Sequence, residues 1–194
     1  MAKTNALDLK NGRLKFSTDI KDSVIKSDII FICVGTPISK KNKSLLCVGL
    51  DPPPAQVPVI DIFEFNKANI ESTQHLVCAY KPNMGFYEAI GIDGLRALEK
   101  TVSVIPADIP VVGDAKRGDI GSTAEAYASA LYDYWGFDAI TCNPFAGYDS
   151  VTPFLRDGKG VFFWCRSSNP GARDFQDVIV SSPDSGPGLS LIHI

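Results

Sequence analysis

Two carboxylates and a lysine fall within six residues in the run Asp114-Ala115-Lys116-Arg117-Gly118-Asp119, which Ile120 closes and which follows directly on the apolar stretch Ile109-Pro-Val-Val-Gly113. Side chains repeat every two residues along a strand, so Asp114 and Lys116 share one side of a strand end and Asp119 lies in the turn beyond. A surface ion-pair cluster is the plain alternative. Exposed pairs are worth only about 0–1 kcal/mol each and have no reason to crowd onto one strand terminus. The run is therefore read first as an active site.

The elements that must position it alternate in type. Leu45–Asp51 reads as a first strand, followed by the turn Pro52-Pro-Pro54 and a helical stretch through Phe63 and Ile70. Leu76–Lys81 is a second strand, closed by Pro82-Asn83 before a helix over about Gly85–Lys100. Pro110–Asp114 is the third, with a helix over about Ser122–Tyr134 after it, and Ala139–Asn143 and Gly160–Cys165 are the fourth and fifth. Strands alternating with helices mark parallel β/α architecture, and near-continuous apolar strands imply burial on both faces. Asp51, Lys81, Asp114 with Lys116, Asn143 and Ser168 all stand at or just beyond the C-terminal end of an apolar run. In a (β/α)8 barrel those ends converge on one mouth, whereas an open doubly wound sheet gathers ligands near its switch point. Five consecutive contributors favour a (β/α)8 TIM barrel, here incomplete with about five of eight strands.

Bulk composition bounds the function classes. The chain has 194 residues, 45% hydrophobic and 21% charged, with no apolar run of membrane-spanning length. Met1–Asp8 lacks the apolar core of a signal peptide, so a cytoplasmic location is expected. Cys33, Cys47, Cys78, Cys142 and Cys165 are odd in number and widely spaced, mostly within apolar runs, the usage of buried hydrophobes in a reducing compartment. Cys142 and Cys165 are accordingly not read as nucleophiles, and no Cys-x-x-Cys or His cluster offers a metal site. His75 and His193 are isolated. Residues 1–43 carry nine Lys/Arg against four Asp/Glu, and residues 44–194 ten against eighteen. The lysines of the basic half are scattered and no aromatic platform accompanies them, so nucleic acid is not expected as a partner.

Residues 12–37 form a unit of their own: a strand at Leu14–Phe16, a helix over Asp19–Ser27 and a strand at Ile29–Val34. Its patterns Gly-Arg-Leu-x-Phe-x-Thr-Asp and Asp-Ile-Ile-Phe-Ile-x-Val-Gly-Thr-Pro resemble part of the NAD-binding half of the UDP-glucose and GDP-mannose dehydrogenase family. The Gly-x-Gly-x-x-Gly turn that seats a pyrophosphate is absent, so the fragment is not expected to bind a dinucleotide.

From about Ser44 to Asp177 the chain resembles the orotidine 5'-phosphate decarboxylase family, in the subgroup with the Lys-Arg-Gly-Asp-Ile form. The matching pieces are Leu-Leu-Cys-Val-Gly-Leu-Asp51-Pro, Ala-Tyr-Lys81-Pro-Asn-x-x-Phe-Tyr-Glu, Gly-Asp114-Ala-Lys116-Arg-Gly-Asp119-Ile120-Gly-Ser-Thr123, Thr-Cys-Asn-Pro and Arg-Ser-Ser168-Asn-Pro-Gly. The resemblance implies cofactor-free decarboxylation of orotidine 5'-monophosphate to uridine 5'-monophosphate in pyrimidine biosynthesis. It assigns Lys116 as the cation beside the developing carbanion and the acid that protonates it, and sets Asp114 against the substrate carboxylate. Lys81 completes the charge network and, with Asp51, holds ribose hydroxyls. Asp119, Ile120 and Thr123 act in the site of a homodimer partner, and Ser168 contacts the pyrimidine edge. Gln176 is read as a helix residue near the site, and Arg117 and Asn143 as structural. Taken singly, Asp51 could equally be a turn residue and Thr123 a helix-start residue.

The family's phosphate-gripping Gly-Arg loop has no match in the chain. Leu-Ser-Leu-Ile-His-Ile194 reads like a translated sequencing-library adapter. The expected organisation is a foreign dehydrogenase-like fragment at 1–40, a truncated decarboxylase barrel at 41–188 and adapter read-through at 189–194, with the chain as written inactive or nearly so. Two rivals remain: a magnesium-dependent sugar-phosphate decarboxylase or lyase of the same superfamily, disfavoured by Ile-Gly-Ser-Thr123 and Ser-Ser168-Asn-Pro-Gly, and a nonfunctional composite.

Overall fold

The computed structural model describes residues 45–51, 61–180 and 189–190. The strand–helix–strand unit expected within residues 12–37, the turn at Pro52–Pro54, Cys33 and His193 lie outside the described residues. Contacts divide the chain into two units, one described over 45–51 and 61–164, the other over 165–180 and 189–190.

In the first unit five parallel strands follow one another in chain order: β1 (Cys47–Gly49), β2 (Ala79–Lys81), β3 (Val112–Arg117), β4 (Ala139–Cys142) and β5 (Gly160–Phe163). β1 pairs with β2, β3 with β4 and β4 with β5, while the bridges Tyr80↔Val111 and Asn83↔Asp114 join β2 to β3. Each strand thus neighbours its predecessor without the reversal of order that defines a doubly wound switch point, which is the arrangement of a barrel wall. The chain forms part of a (β/α)8 barrel.

The helices between the strands are α1 (Ile62–Thr73), α2 (Met84–Glu88), α3 (Ile92–Ser103), α4 (Gly121–Ser129) and α5 (Tyr148–Val151). Asp61 caps α1 by accepting the Phe63 N–H at 2.9 Å, and Asn83 caps α2 through the Gly85 N–H at 3.1 Å. The buried positions of α3, Gly94, Ala97, Leu98 and Thr101, fall at i, i+3, i+4 and i+7, one helical face. The single helix expected over Gly85–Lys100 is two: Gly91 at φ +80° ends the first turn-rich segment and opens α3, a backbone conformation that glycine reaches without a Cβ penalty. The helix expected over Ser122–Tyr134 changes to π-helical winding at Ala130–Tyr134.

Burial on both faces holds for β2 and for the first half of β3, but β4 between its neighbours alternates half-buried with buried residues, and the outer strands of the described sheet are not buried on both faces either. All four residues of β5 are half-buried, and Leu45 and Leu46 before β1 are exposed. A strand at the edge of the sheet lacks a neighbour on one side, and periodicity in a strand cannot report its place in the sheet.

Beneath β1 and β2 a polar group is built into the core. Tyr87, almost wholly buried, donates its hydroxyl hydrogen to the Leu50 carbonyl and accepts from Asn66 Nδ2 at 2.9 Å, while Asn66 also donates to Thr101 Oγ1 at 3.2 Å. This ties α1, α2 and α3 to the strand end that carries Asp51. Tyr87→Phe leaves the Leu50 carbonyl without this donor and the Asn66 amide with Thr101 alone, and is expected to cost about 1–3 kcal/mol in urea unfolding.

In the second unit Asn169 opens a single 3-10 turn at Pro170–Ala172 that runs into α6 (Arg173–Gln176). The backbone of Ile179–Val180 pairs antiparallel with Leu189–Ser190.

Candidate active site

The expected strand end at Asp114 is a bulge within a longer strand. Gly113 pairs with Ile140 and Arg117 with Cys142, so Asp114, Ala115 and Lys116 together stand opposite Thr141 alone. Lys116 takes φ +47°, the only positive φ outside glycine among the described residues. A left-handed conformation in such a residue costs on the order of 1–3 kcal/mol and persists where surrounding contacts over-determine it. Arg117, just beyond, is held from three sides: its guanidinium pairs with Glu88, lies 5.4 Å from the Tyr127 ring centroid and donates to the Ala115 carbonyl at 3.4 Å.

The bulge brings three charges together. Asp114 is buried, and its Oδ1 accepts from Lys116 Nζ at 2.6 Å and from Thr141 Oγ1 at 2.8 Å, while Oδ2 accepts from Lys81 Nζ at 3.0 Å. Both lysines keep more than a third of their side-chain surface exposed, so their charged ends open outward from the carboxylate they share. Lys81 arrives from the C-terminal end of β2, in register with Gly49. Two residues on, Asp51 sits in the field of Lys81, Asp114 and Lys116. A Cβ on Gly49 would lie 2.5 Å from Asp51 Oδ1, so the absence of a side chain there makes room for this carboxylate.

The two carboxyls titrate in opposite directions. Burial alone would push Asp114 up, but the hydrogen bonds from Lys116, Thr141 and Lys81 outweigh it and hold the carboxyl below its usual range. Burial pushes Asp51 up, and the neighbouring Asp114 adds to this against the pull of the lysines. Stability therefore has two limbs in acid. A carboxyl whose pKa is raised by folding contributes stability as it protonates, so the Asp51 contribution grows as pH falls through its folded value towards about 4. Asp114 contributes in the opposite sense: its stabilisation is full above about 4 and is lost as pH falls through its lowered value. Asp51→Asn is expected to erase the first limb and Asp114→Asn the second in urea midpoints taken from pH 7 to pH 2.

Asp119, Ile120 and Thr123 do not join this cluster. Asp119 Oδ1 accepts the Ile120 N–H at 2.8 Å, and among the described residues it pairs with neither lysine. Ile120 is 60% exposed, and Thr123 stands exposed in the first turn of α4. Asn143 closes the bulge, its N–H donating to the Arg117 carbonyl at 2.8 Å and its Oδ1 accepting from Phe145 N at 3.0 Å. Cys142 is fully buried, and burial pushes its thiol up to about 12, so it is no thiolate at neutral pH. His75 is exposed.

In the second unit Ser168 is exposed within a concavity that Arg166, Ser167, Asn169, Pro170 and Arg173 also line. Gln176 ends α6, and its Oε1 accepts the Ser167 N–H at 2.9 Å. Arg166 pairs with Asp177.

Sequence reasoning passed over Thr141, although the motif Thr-Cys-Asn-Pro contains it. The available signal was a hydroxyl in a short apolar strand, between Ile140 and Cys142 that both point into the core. What could not be read was that β4 sets it beside Asp114.

A run of parallel strands with fixed charges of both signs at their C-terminal ends defines a β/α-barrel protein of the kind that carries its chemistry at the barrel mouth. The chain belongs to the orotidine 5'-phosphate decarboxylase / HUMPS family, whose model matches residues 44–185. A second model, the NAD binding domain of the UDP-glucose/GDP-mannose dehydrogenase family, matches residues 3–48. Among curated proteins, the orotidine 5'-phosphate decarboxylase of Herpetosiphon aurantiacus is 54% identical over 157 residues, covering 77% of this chain and 58% of that protein. The orotidine 5'-phosphate decarboxylase of Dehalococcoides mccartyi strain BAV1 is 49% identical over 138 residues, covering 70% and 51%. The solved structure of Leishmania donovani OMP decarboxylase superposes with a TM-score of 0.65 at 46% identity, over 71% of this chain and 54% of that one. The chain thus spans little more than half the length of the relatives it matches. Among the described residues, no helix is long and apolar enough to cross a membrane and no cluster of three His, Cys, Asp or Glu could hold a metal ion.

Proposed function

We propose that the chain carries the charge array of an enzyme that decarboxylates orotidine 5'-monophosphate to uridine 5'-monophosphate. The observation that supports this best is the single buried carboxylate of Asp114 shared by Lys81 and Lys116 at 3.0 and 2.6 Å. Loss of carbon dioxide leaves the bonding electron pair on the ring carbon. An ammonium fixed beside that carbon stabilises the charge as it develops, without reorganisation at the moment of reaction. Lys116 supplies that ammonium and then its proton, forming the new C–H bond. Its neutral amine regains a proton from water. Asp114 sets the position of the lysine and lies against the leaving carboxylate. Asp51 and Lys81 take the ribose hydroxyls.

The same reading gives Ser168 the pyrimidine edge and makes the functional unit a homodimer, in which Asp119, Ile120 and Thr123 complete the partner's site. Exposure of Ile120 and Thr123, and the absence of an Asp119 ion pair among the described residues, support that assignment. The free thiols of Cys47, Cys78 and Cys142 suit a reducing cytoplasm. In sequence organisation we infer a dehydrogenase-like segment over about 1–40, a decarboxylase segment over 41–188 and an adapter-derived segment at 189–194. Two adjoining family matches support the first boundary. Resequencing the source DNA across codons 35–45 and 185–194 tests both, and an uninterrupted natural reading frame would overturn them.

The functional test mixes the 194-residue chain with orotidine 5'-monophosphate and follows the loss of its absorbance, with binding of uridine 5'-monophosphate measured by calorimetry alongside. Nucleotide binding, with turnover that is slow beside a full-length relative and disappears in Lys116→Ala, is the expected result. A chain that neither binds the product nor consumes the substrate would overturn the reading.

A further inference from the structure

We propose that Thr141 is a positioning residue of this site, its hydroxyl bridging the Asp114 carboxylate to the backbone of Lys116 and so fixing the spacing of the two charges. The proposal rests on the decarboxylase reading for its purpose, but its geometry is independent of it. Thr141 Oγ1 donates to Asp114 Oδ1 at 2.8 Å and accepts the Lys116 N–H at 2.9 Å. A hydroxyl has one hydrogen to give and lone pairs to receive, so both bonds are made at once and each orients the other.

The bulge supplies the reason for a hydroxyl at this place. Three residues of β3 stand opposite Thr141, and Lys116 has no Cα partner in the register between β3 and β4. Asp114 and Lys116 face each other across 2.6 Å from positions two apart, and within the bulge Lys116 stands at φ +47°. A backbone lifted out of regular pairing needs another acceptor for its N–H, and Thr141 offers one from the paired strand β4. The lysine ammonium and the lysine amide are then both tied to Asp114, one directly and one through Thr141. The lysine is thereby held from both ends. Valine has nearly the shape of threonine but neither bond; serine keeps both.

The test uses the 194-residue chain and its Thr141→Val and Thr141→Ser variants. Amide exchange of Lys116 and the carboxyl-carbon titration of Asp114 are followed by NMR, with Lys81, Lys116 and Asp51 as the charged groups that face Asp114. In Thr141→Val, Lys116 amide exchange is expected to rise about 2- to 10-fold against that of Val112, the loss of one net hydrogen bond. Asp114 is expected to titrate at higher pH, and Thr141→Ser to restore both readings. Should the valine variant not fold, Thr141→Ala gives the same comparison, and a Lys116 amide in the unmodified chain that exchanges as freely as an unbonded one overturns the proposal by itself. Unchanged exchange and titration in a folded valine variant overturn it as well. With turnover present, Thr141→Val is expected to lower kcat more than it raises KM. A chain that neither binds uridine 5'-monophosphate nor turns over counts against the decarboxylase reading and leaves the NMR result to judge Thr141.

Discussion

Replacing Lys116 by alanine is expected to lower the first-order rate of decarboxylation of bound orotidine 5'-monophosphate by ~10³-fold or more, the combined effect of losing a preorganised electrostatic group and a proton donor. On the proposed decarboxylase reading one ammonium does both, at different moments of one reaction. It sits 2.6 Å from a carboxylate that is itself buried, so its position is set before the substrate arrives. Lys116→Arg separates the two tasks: a guanidinium keeps the positive charge and does not give up its proton at neutral pH. The arginine variant is therefore expected to fall close to the alanine variant if proton delivery dominates, and well above it if the field dominates. Single-turnover release of labelled carbon dioxide at saturating substrate checks this, and an alanine variant within a few-fold of the unmodified chain would remove Lys116 from the mechanism. Binding of uridine 5'-monophosphate is expected to change little, because the product lacks the carboxylate that the proposed reaction sets against Asp114 and Lys116.

The second large effect concerns the strand that carries the charges. Phe137 is fully buried and stacks on Trp135 with ring centroids 6.4 Å apart. Its ring lies so close to Gly113 that a Cβ there would fall 2.2 Å from Phe137 Cδ2. Phe137→Ala is expected to destabilise by about 3–5 kcal/mol through the cavity it leaves, and Gly113→Ala by about 1–3 kcal/mol through overpacking. The double variant is expected to be more stable than the two losses predict, since removing the ring opens space for the methyl group. Urea unfolding of the four proteins measures this coupling, and strict additivity would contradict the close approach. Gly113 directly precedes Asp114, so this packing seats the start of the bulge. A strained segment can hold its charges only while the core beneath it is solid.

Much of this architecture was legible in the sequence. The alternation of apolar strands with helices marked a parallel β/α arrangement, and the observed strand order runs β1 to β5 as a barrel requires. Asp114 and Lys116, two residues apart, were read as sharing a side, and they form an ion pair. Such inferences work because strand and helix periods are local: they follow from backbone geometry over a few residues. Finer features escaped for the opposite reason. The break at Gly91 depends on a left-handed backbone that an isolated glycine permits but does not demand. The half-burial of β5 depends on where the strand stands in the sheet, which its own residues do not encode.

The candidate site divides along the same line. The sequence by itself determined the inventory: which charges exist, their spacing within one strand, and a run of motifs in the order of a known family. The family resemblance already set Lys81, thirty-three residues before Asp114, in the charge network, and the structure adds the contact, Lys81 Nζ on Asp114 Oδ2 from a neighbouring strand. Only the tertiary structure decided that Thr141, twenty-seven residues after Asp114, ties that carboxylate to the lysine backbone. It also decided that Asp119, though five residues from Asp114, turns away to its own neighbour's amide. Distance along the chain and distance in space part company wherever strands pair side by side. A bulge moves the parting to within a single strand, because inserted residues change which side chains meet without changing which residues are adjacent.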